Sequence, residues 1–147
     1  MTYLERITYL VGEVIELSQY AVKNAYRLNA YLQVKLTDKE FSTDRNIIAE
    51  DIAKKAYEKN INKSGKEIIH DLENSNLSVK IMNDLTSLLL KRDNLVNNFF
   101  IENGYSLSKE DMVVYNDIIA QLEEYSSLAK ELNNKIANNI VNFDFTK

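Results

Sequence analysis

Residues 112–140 read MVVYNDIIAQLEEYSSLAKELNNKIANNI. Apolar side chains recur in this stretch at three- and four-residue steps, which places them on one face of an α-helix. The members of this stripe are Met112, Tyr115, Ile118, Ile119, Leu122, Tyr125, Leu128, Leu132, Ile136 and Ile140. The stretch therefore predicts a long amphipathic helix whose apolar face must be covered by other helices.

A second long stripe lies at the start of the chain, over about residues 3–36. Its apolar positions are Ile7, Val11, Val14, Ala21, Ala25, Leu28 and Leu32. At 1.5 Å per residue, such a helix is about 50 Å long, which exceeds the diameter of a compact domain. We expect it to bend, to break, or to pack against a second subunit.

Local capping signals divide the residues that follow this first helix. We expect a loop over residues 37–43, after which Thr43 or Asp44 caps a helix that runs to about Asn60. The tetrapeptide from Ser64 to Glu67 matches a capping box, so a short helix is expected from there to about residue 73.

Further signals place the next two helices. Ser78 is expected to begin a fourth helix that ends near Gly104, where glycine suits a left-handed C-cap. Ser108 is expected to cap the last helix, with Asp111 three residues later as the weaker partner of a capping box.

Composition supports the same architecture. The 147 residues include no proline and only three glycines, so sharp turns are few and long helices are favoured. We predict an all-α fold with one domain over residues 1–147, an up-down bundle of four to five helices with long first and last members.

The net charge and the absence of certain residue types bear on where the protein is located and what it binds. The chain has no cysteine, no apolar run of about 20 residues and no signal-peptide pattern, so we expect a cytoplasmic protein without membrane association. The protein has a net charge of −4 and so does not attract nucleic acid through its overall charge. Any contact with RNA must come from a local group of residues.

One polar insert interrupts an otherwise apolar helix, within LLLKRDNLVNNFF at residues 88–100. Polar side chains within an apolar helix need hydrogen-bonding partners or a functional role, because burying them unpaired lowers stability. One interpretation is structural: Arg92 pairs with Asp93 or with an acid of a neighbouring helix.

The same stretch resembles the signature helix of the HEPN ribonuclease family, in which an arginine and a polar residue precede a histidine. Arg92 takes the place of the arginine and Asp93 that of the polar residue. The apolar step and the aromatic pair of the motif correspond to Leu95, Val96, Phe99 and Phe100. Asn97 stands where the family carries its catalytic histidine.

The resemblance implies a HEPN-like homodimer of toxin–antitoxin or phage-defence type. It would bind or cleave RNA in a cleft between subunits, without metal or cofactor, through Arg92, Asp93 and Asn97. A guanidinium can grip phosphate, but the amide of Asn97 cannot act as a general base at neutral pH. We therefore expect weak or absent endoribonuclease activity.

The alternative hypothesis is a non-enzymatic interaction module, such as an antitoxin, an immunity protein or an inhibitor, that binds a protein partner. A metal site is not expected, since His70 is the only histidine and the chain has no cysteine. We expect His70 to be a surface or helix-end residue. The five tyrosines of the first helix predict either core packing or a partner surface: Tyr3, Tyr9, Tyr20, Tyr26 and Tyr31.

Overall fold

The structure is a computed structural model that describes residues 1–37 and 44–146. These residues form six helices and no strand. The helices are α1 (Tyr3–Thr37), α2 (Arg45–Asn60), α3 (Gly65–Leu72), α4 (Val79–Asn97), α5 (Phe99–Ser108) and α6 (Met112–Val141). The predicted all-α class is confirmed, whereas the described residues contain six helices rather than the four to five that were expected.

The two long helices, α1 and α6, lie side by side and run parallel. Arg6 contacts Glu123 at 3.3 Å, and Glu13 contacts Lys130 at 3.0 Å. Further along, the Asn133 side chain donates a hydrogen bond of 3.1 Å to the carbonyl of Leu17. Residue numbers thus rise together along both helices.

Two of the helices between them in the chain, α2 and α4, run antiparallel to α1. For α2, Arg27 contacts Glu50 near the start of the helix, and Gln19 lines a cavity with Asn60 at its end. Residue numbers therefore fall along α1 as they rise along α2. α4 runs the same way, because Ile81 near its start lines a pocket with Leu32, and Asn97 at its end lines a groove with residues of the first half of α1. The result is an up-and-down bundle.

The packing of α1 against α6 explains how so long a helix is accommodated. Its 35 residues span about 52 Å at 1.5 Å per residue, and no break in the helix occurs. α6 accompanies it with 30 residues. Small residues, among them Ser18, Ala21 and Ala129, are fully or almost fully buried and permit close packing of helices.

The core draws on four of the six helices for its most deeply buried large side chains and includes members of the other two. The largest fully buried side chains are Ile7, Leu10, Val14, Val34, Ile68, Leu72, Leu85, Leu88, Leu89, Leu122, Leu132 and Ile136, with Ala49 and Ala53 of α2 and Phe99 and Leu107 of α5 also buried. Phe143 and Phe145, beyond α6, pack on the ring of Tyr31 at centroid distances of 5.5 and 5.7 Å.

Two of the tyrosines of α1 tie neighbouring helices to it. The Tyr26 hydroxyl donates to Asp71 at 2.7 Å, and burial together with this bond raises the pKa of Tyr26. The Tyr31 hydroxyl donates to Glu50 at 2.9 Å, and the hydrogen bond from Arg27 lowers the pKa of that carboxyl. The packing interpretation therefore holds for Tyr26 and Tyr31.

Several predicted helix starts are confirmed. The Asp44 side chain accepts from the amide of Asn46, whereas Thr43 and most of the predicted loop lie outside the described residues. Ser64 and Glu67 form the capping box, and the Ser78 hydroxyl accepts from the amide of Ile81. α2 and α3 end within a residue of their predicted ends.

The predicted end of the fourth helix is wrong. α4 ends at Asn97, the backbone deviates at Asn98 with φ −129°, and a further helix continues to Ser108. Gly104 lies inside α5 and has no positive φ. A helix tolerates an interior glycine at a cost of about 1 kcal/mol, and the burial of Phe99 and Leu107 on the core side of α5 offsets it.

The predicted start of the last helix is wrong as well. Asp111 caps α6 by accepting from the amide of Val113 at 2.9 Å. Ser108 instead ends α5, and its hydroxyl donates to the carbonyl of Tyr105 at 2.6 Å. The chain reverses at Glu110, whose φ is +53°, and this reversal makes the following aspartate the N-cap.

The start of α3 lies unusually close to α4. A Cβ at position 65 would lie 2.7 Å from the carbonyl oxygen of Leu89 and 2.9 Å from Oδ2 of Asp93. Because a backbone carbonyl cannot easily move, only glycine fits there. Gly12 and Gly104 have no such neighbour within 4 Å.

We expect Gly65→Ala to lower the free energy of unfolding by about 1–3 kcal/mol, because the added methyl group forces α3 away from α4. Gly12→Ala is the matched control. It is expected to raise stability by about 0.5–1 kcal/mol, since alanine favours a helix interior and meets no neighbour. Urea unfolding followed by circular dichroism measures both; equal effects of the two substitutions would contradict this account.

Candidate functional site

Arg92, Asp93 and Asn97 line one open groove of about 380 Å³. The opposite wall comes from α1 and from the connection between α2 and α3. Other lining residues are Ile15, Gln19, Ile61, Asn62, Lys63, Ser64, Glu67 and Val96. The structure thus brings together the three residues that the motif singles out.

The guanidinium of Arg92 is already engaged. Its Nη2 donates to the carbonyl of Lys63 at 3.4 Å and to Oδ1 of Asp93 at 3.3 Å. The side chain is only 12% exposed. The structural interpretation of this residue, a pair with Asp93, is therefore confirmed.

Asp93 serves the start of α3. The amide of Gly65 donates to both of its carboxylate oxygens at 2.9 Å. The carboxylate thus satisfies one of the unpaired amides of a helix N-terminus, where negative charge is also favoured by the helix dipole. We call the set formed by Arg92, Asp93, Gly65 and the Lys63 carbonyl the Arg–Asp clamp.

Asn97 and His70 occupy different surroundings. Asn97 is the exposed last residue of α4 and lies in the wall of the groove. His70 lies in the last turn of α3, where its side chain is 82% exposed and its Nδ1 lies 3.1 Å from Oε1 of Glu73. The expectation of a surface, helix-end histidine is confirmed, and His70 is not among the residues that line the groove.

The charges of the groove cancel. Lys63 and Arg92 contribute two positive charges, and Glu67 and Asp93 contribute two negative ones. A phosphate that approached Arg92 would compete with the adjacent carboxylate for the guanidinium. Within residues 1–37 and 44–146, no group of three metal-ligating side chains of His, Cys, Asp or Glu occurs.

The outward face of α5 is a second feature, which the capping signals did not reveal. Phe100, Ile101 and Tyr105 are 50%, 82% and 74% exposed. At 100° per residue, Gly104 and Ser108 lie on the same arc. Charged groups lie at its edge, where exposed Glu102 adjoins Tyr105 and the ammonium of Lys109 lies 4.3 Å from the ring centroid of Tyr105. Recognition of residues 99–108 as a complete helix would have exposed the pattern.

In comparisons with models of known protein families, with curated proteins and with solved structures, no match to the chain was found. Among the helices of the described residues, none has the length and apolar character needed to cross a bilayer.

We expect Asp93→Ala to lower the free energy of unfolding by about 1–3 kcal/mol, because it leaves the Gly65 amide and the Arg92 charge without their partner. Asp93→Asn keeps an acceptor for the amide and should cost less. Asp51→Asn, which breaks an exposed pair with Lys55, is the control and should change stability by no more than about 0.5 kcal/mol. Chemical denaturation measures all three; a neutral Asp93→Ala would show that the clamp does not stabilise α3.

Proposed function

We propose that this protein is a non-catalytic helical interaction module of the cytoplasm that binds a protein partner through the outward face of α5. The observation that carries the proposal is the exposure of three large apolar or aromatic side chains on one short helix, Phe100, Ile101 and Tyr105. An antitoxin, an immunity protein or an inhibitor would work in this way.

The two sides of α5 lie in different surroundings. Phe99 and Leu107 are 3% and 7% exposed and hold the helix on the bundle. The opposite side of a helix in water is ordinarily polar, but here it presents two aromatic rings and an isoleucine. Contiguous exposed apolar surface of this kind is typical of binding sites, and aromatic side chains contribute strongly to binding energy at interfaces.

The groove favours binding over catalysis. Proton transfer near neutral pH needs a group such as imidazole, whereas the motif position holds Asn97 and the lone histidine lies outside the groove. The Arg92 guanidinium is used inside the Arg–Asp clamp. These contacts support a structural role for the residues that a HEPN-like nuclease would use on RNA.

The test introduces charge into the proposed interface. Ile101→Glu and Tyr105→Glu should weaken partner binding at least roughly tenfold, while the free energy of unfolding changes by no more than about 0.5 kcal/mol, because both side chains are largely exposed. The control is Val79→Glu, an exposed apolar residue at the start of α4.

Affinity purification from the native cell, with light scattering of the purified protein alone, provides the measurement. A stoichiometric protein that is retained by the wild type and the Val79 control and lost from both α5 variants supports the proposal. A wild type that recovers no protein partner and remains monomeric at high concentration contradicts it.

A second candidate function is RNA binding by a HEPN-like homodimer of toxin–antitoxin or phage-defence type. It is favoured by the location of Arg92, Asp93 and Asn97 in one groove. Helix α5 begins two residues after Asn97, so a subunit that packed on the outward face of α5 would lie close to the groove. Phosphate would then displace Asp93 from the guanidinium.

Incubation of total RNA with the wild type and with Asn97→His separates the two candidates. We expect no cleavage and no RNA retention by either protein, because the groove is electrically balanced and Arg92 is engaged. A gain of cleavage in Asn97→His that is lost again on Arg92→Ala would replace the first candidate with the second. Retention of RNA without cleavage would support a non-cleaving relative of such nucleases.

A further inference from the structure

The part of the chain that carries the outward face of α5 is strongly acidic. Residues 99–128, which comprise α5, the connection to α6 and the first part of α6, contain six acidic residues and one basic residue. The whole chain has a net charge of −4, so the residues outside this segment have a net charge of +1. The acidic residues of the segment are all exposed: Glu102, Glu110, Asp111, Asp117, Glu123 and Glu124.

Three of these carboxylates lie next to the outward face of α5. Glu102 precedes Tyr105 by three residues, so their side chains are neighbours on the helix. Glu110 and Asp111 follow the last turn of α5, and Asp111 caps α6. Glu102 accepts a hydrogen bond of 3.3 Å from the side-chain amide of Asn94. Within residues 1–37 and 44–146, neither Glu102 nor Glu110 forms an ion pair, so both remain available to the cations of a partner.

The ring of Tyr105 already binds a cation. It is 74% exposed, and the ammonium of Lys109 lies 4.3 Å from its centroid. The electron-rich face of an aromatic ring attracts ammonium and guanidinium groups, and arginine occupies such places more often than lysine. Lys109 is the basic residue of the acidic segment, and its flexible side chain can leave the ring when a partner's cation takes its place.

The same charges disfavour two other occupants of this face. A second copy that paired α5 with α5 about a twofold axis would bring the carboxylates of both copies together, which opposes association. A membrane with anionic headgroups would repel them as well. A protein segment with both apolar and basic side chains matches the apolar residues and the carboxylates at once.

On the basis of the function proposed for α5, we propose that the partner docks a basic amphipathic helix on it. Its apolar side chains would cover Phe100 and Ile101. Its lysine or arginine side chains would contact Glu102, Glu110 and the ring of Tyr105. Apolar contact provides most of the affinity, and the charges determine the orientation and the rate of encounter. The ten residues of α5 extend about 15 Å, which a partner helix of about three turns covers.

Three labelled peptides of about 14 residues test the proposal by fluorescence polarisation. The first is an amphipathic helix of leucine and lysine, the second has the same leucine face with glutamate, and the third replaces leucine with serine and keeps the lysines. We expect only the leucine–lysine helix to bind, and high salt should weaken it at least roughly tenfold, because salt screens exposed charges. In ¹⁵N-labelled protein, the amide signals that shift should belong to residues 99–108.

Paired substitutions test the contribution of the carboxylates. Glu102→Gln combined with Glu110→Gln should weaken binding of the leucine–lysine helix roughly fivefold, because it removes two charges beside the apolar face. Asp51→Asn combined with Glu58→Gln is the control. It removes the same number of charges from exposed positions of α2 and should bind as the wild type does.

A change in the opposite direction is expected at Lys109. Lys109→Met removes the cation that competes for the ring of Tyr105 and should strengthen binding of the leucine–lysine helix about threefold. Lys54→Met, at an exposed position of α2, is the control for the loss of one positive charge.

Several outcomes would overturn the proposal. Equal binding of the leucine–lysine and leucine–glutamate helices, or no effect of the paired glutamine substitutions, would do so and would leave the apolar interface of α5 standing. Failure of the leucine–lysine helix to bind would do so even where a native partner is retained through α5. Dimerisation that Ile101→Glu abolishes would assign the face to a second copy. Failure of the proposed function itself is recognised separately, by the absence of any native partner for a protein that stays monomeric.

Discussion

The carboxylate of Asp93 is shared between a backbone amide and a guanidinium, and this arrangement ties the start of α3 to α4. Its bonds to Gly65 fix the start of α3 on α4, and its contact with Arg92 holds the guanidinium against the carbonyl of Lys63. These contacts hold both ends of residues 63–65, the segment that leads into α3. Arg92 lines both the groove and the neighbouring cavity that Gln19 and Asn60 also line.

The deviation of the backbone at Asn98 has consequences for the other side of the molecule. The amide of Asn98 still donates to the carbonyl of Asn94, and its carbonyl accepts from the amide of Glu102, so the helical course continues in a new direction. This change places Phe99 and Leu107 against the core and leaves Phe100, Ile101 and Tyr105 outside. The segment carries apolar residues on both sides of the helix. One side therefore anchors α5 on the core, and the other side remains exposed.

The contacts of Arg92 and Asp93 support the structural interpretation of the polar insert. The guanidinium of Arg92 is 12% exposed and bonded to the carboxylate of Asp93, so it stabilises the fold. It can bind a ligand only when the ligand replaces Asp93 as its partner. The groove beside it is lined by two positive and two negative side chains, whereas the face of α5 presents mainly apolar and aromatic area. The protein therefore presents two surfaces of unlike chemistry, joined through α4 and its continuation.

The sequence alone determined the features that depend on neighbours within about one helical turn. The 3.6-residue stripes of α1 and α6, the capping box at Ser64 and the cap at Ser78 are local, and each could be read from the order of residues. The Asn-Gly signal before residue 105 and the Ser108 cap misled for the same reason, because local propensity was outweighed by the burial of Phe99 and Leu107. The tertiary structure decided the parallel course of α1 and α6 and the bond between Gly65 and Asp93 across 28 positions. Those features depend on which helices become neighbours in space, and that choice is made by the joint burial of all the apolar faces rather than by any one segment.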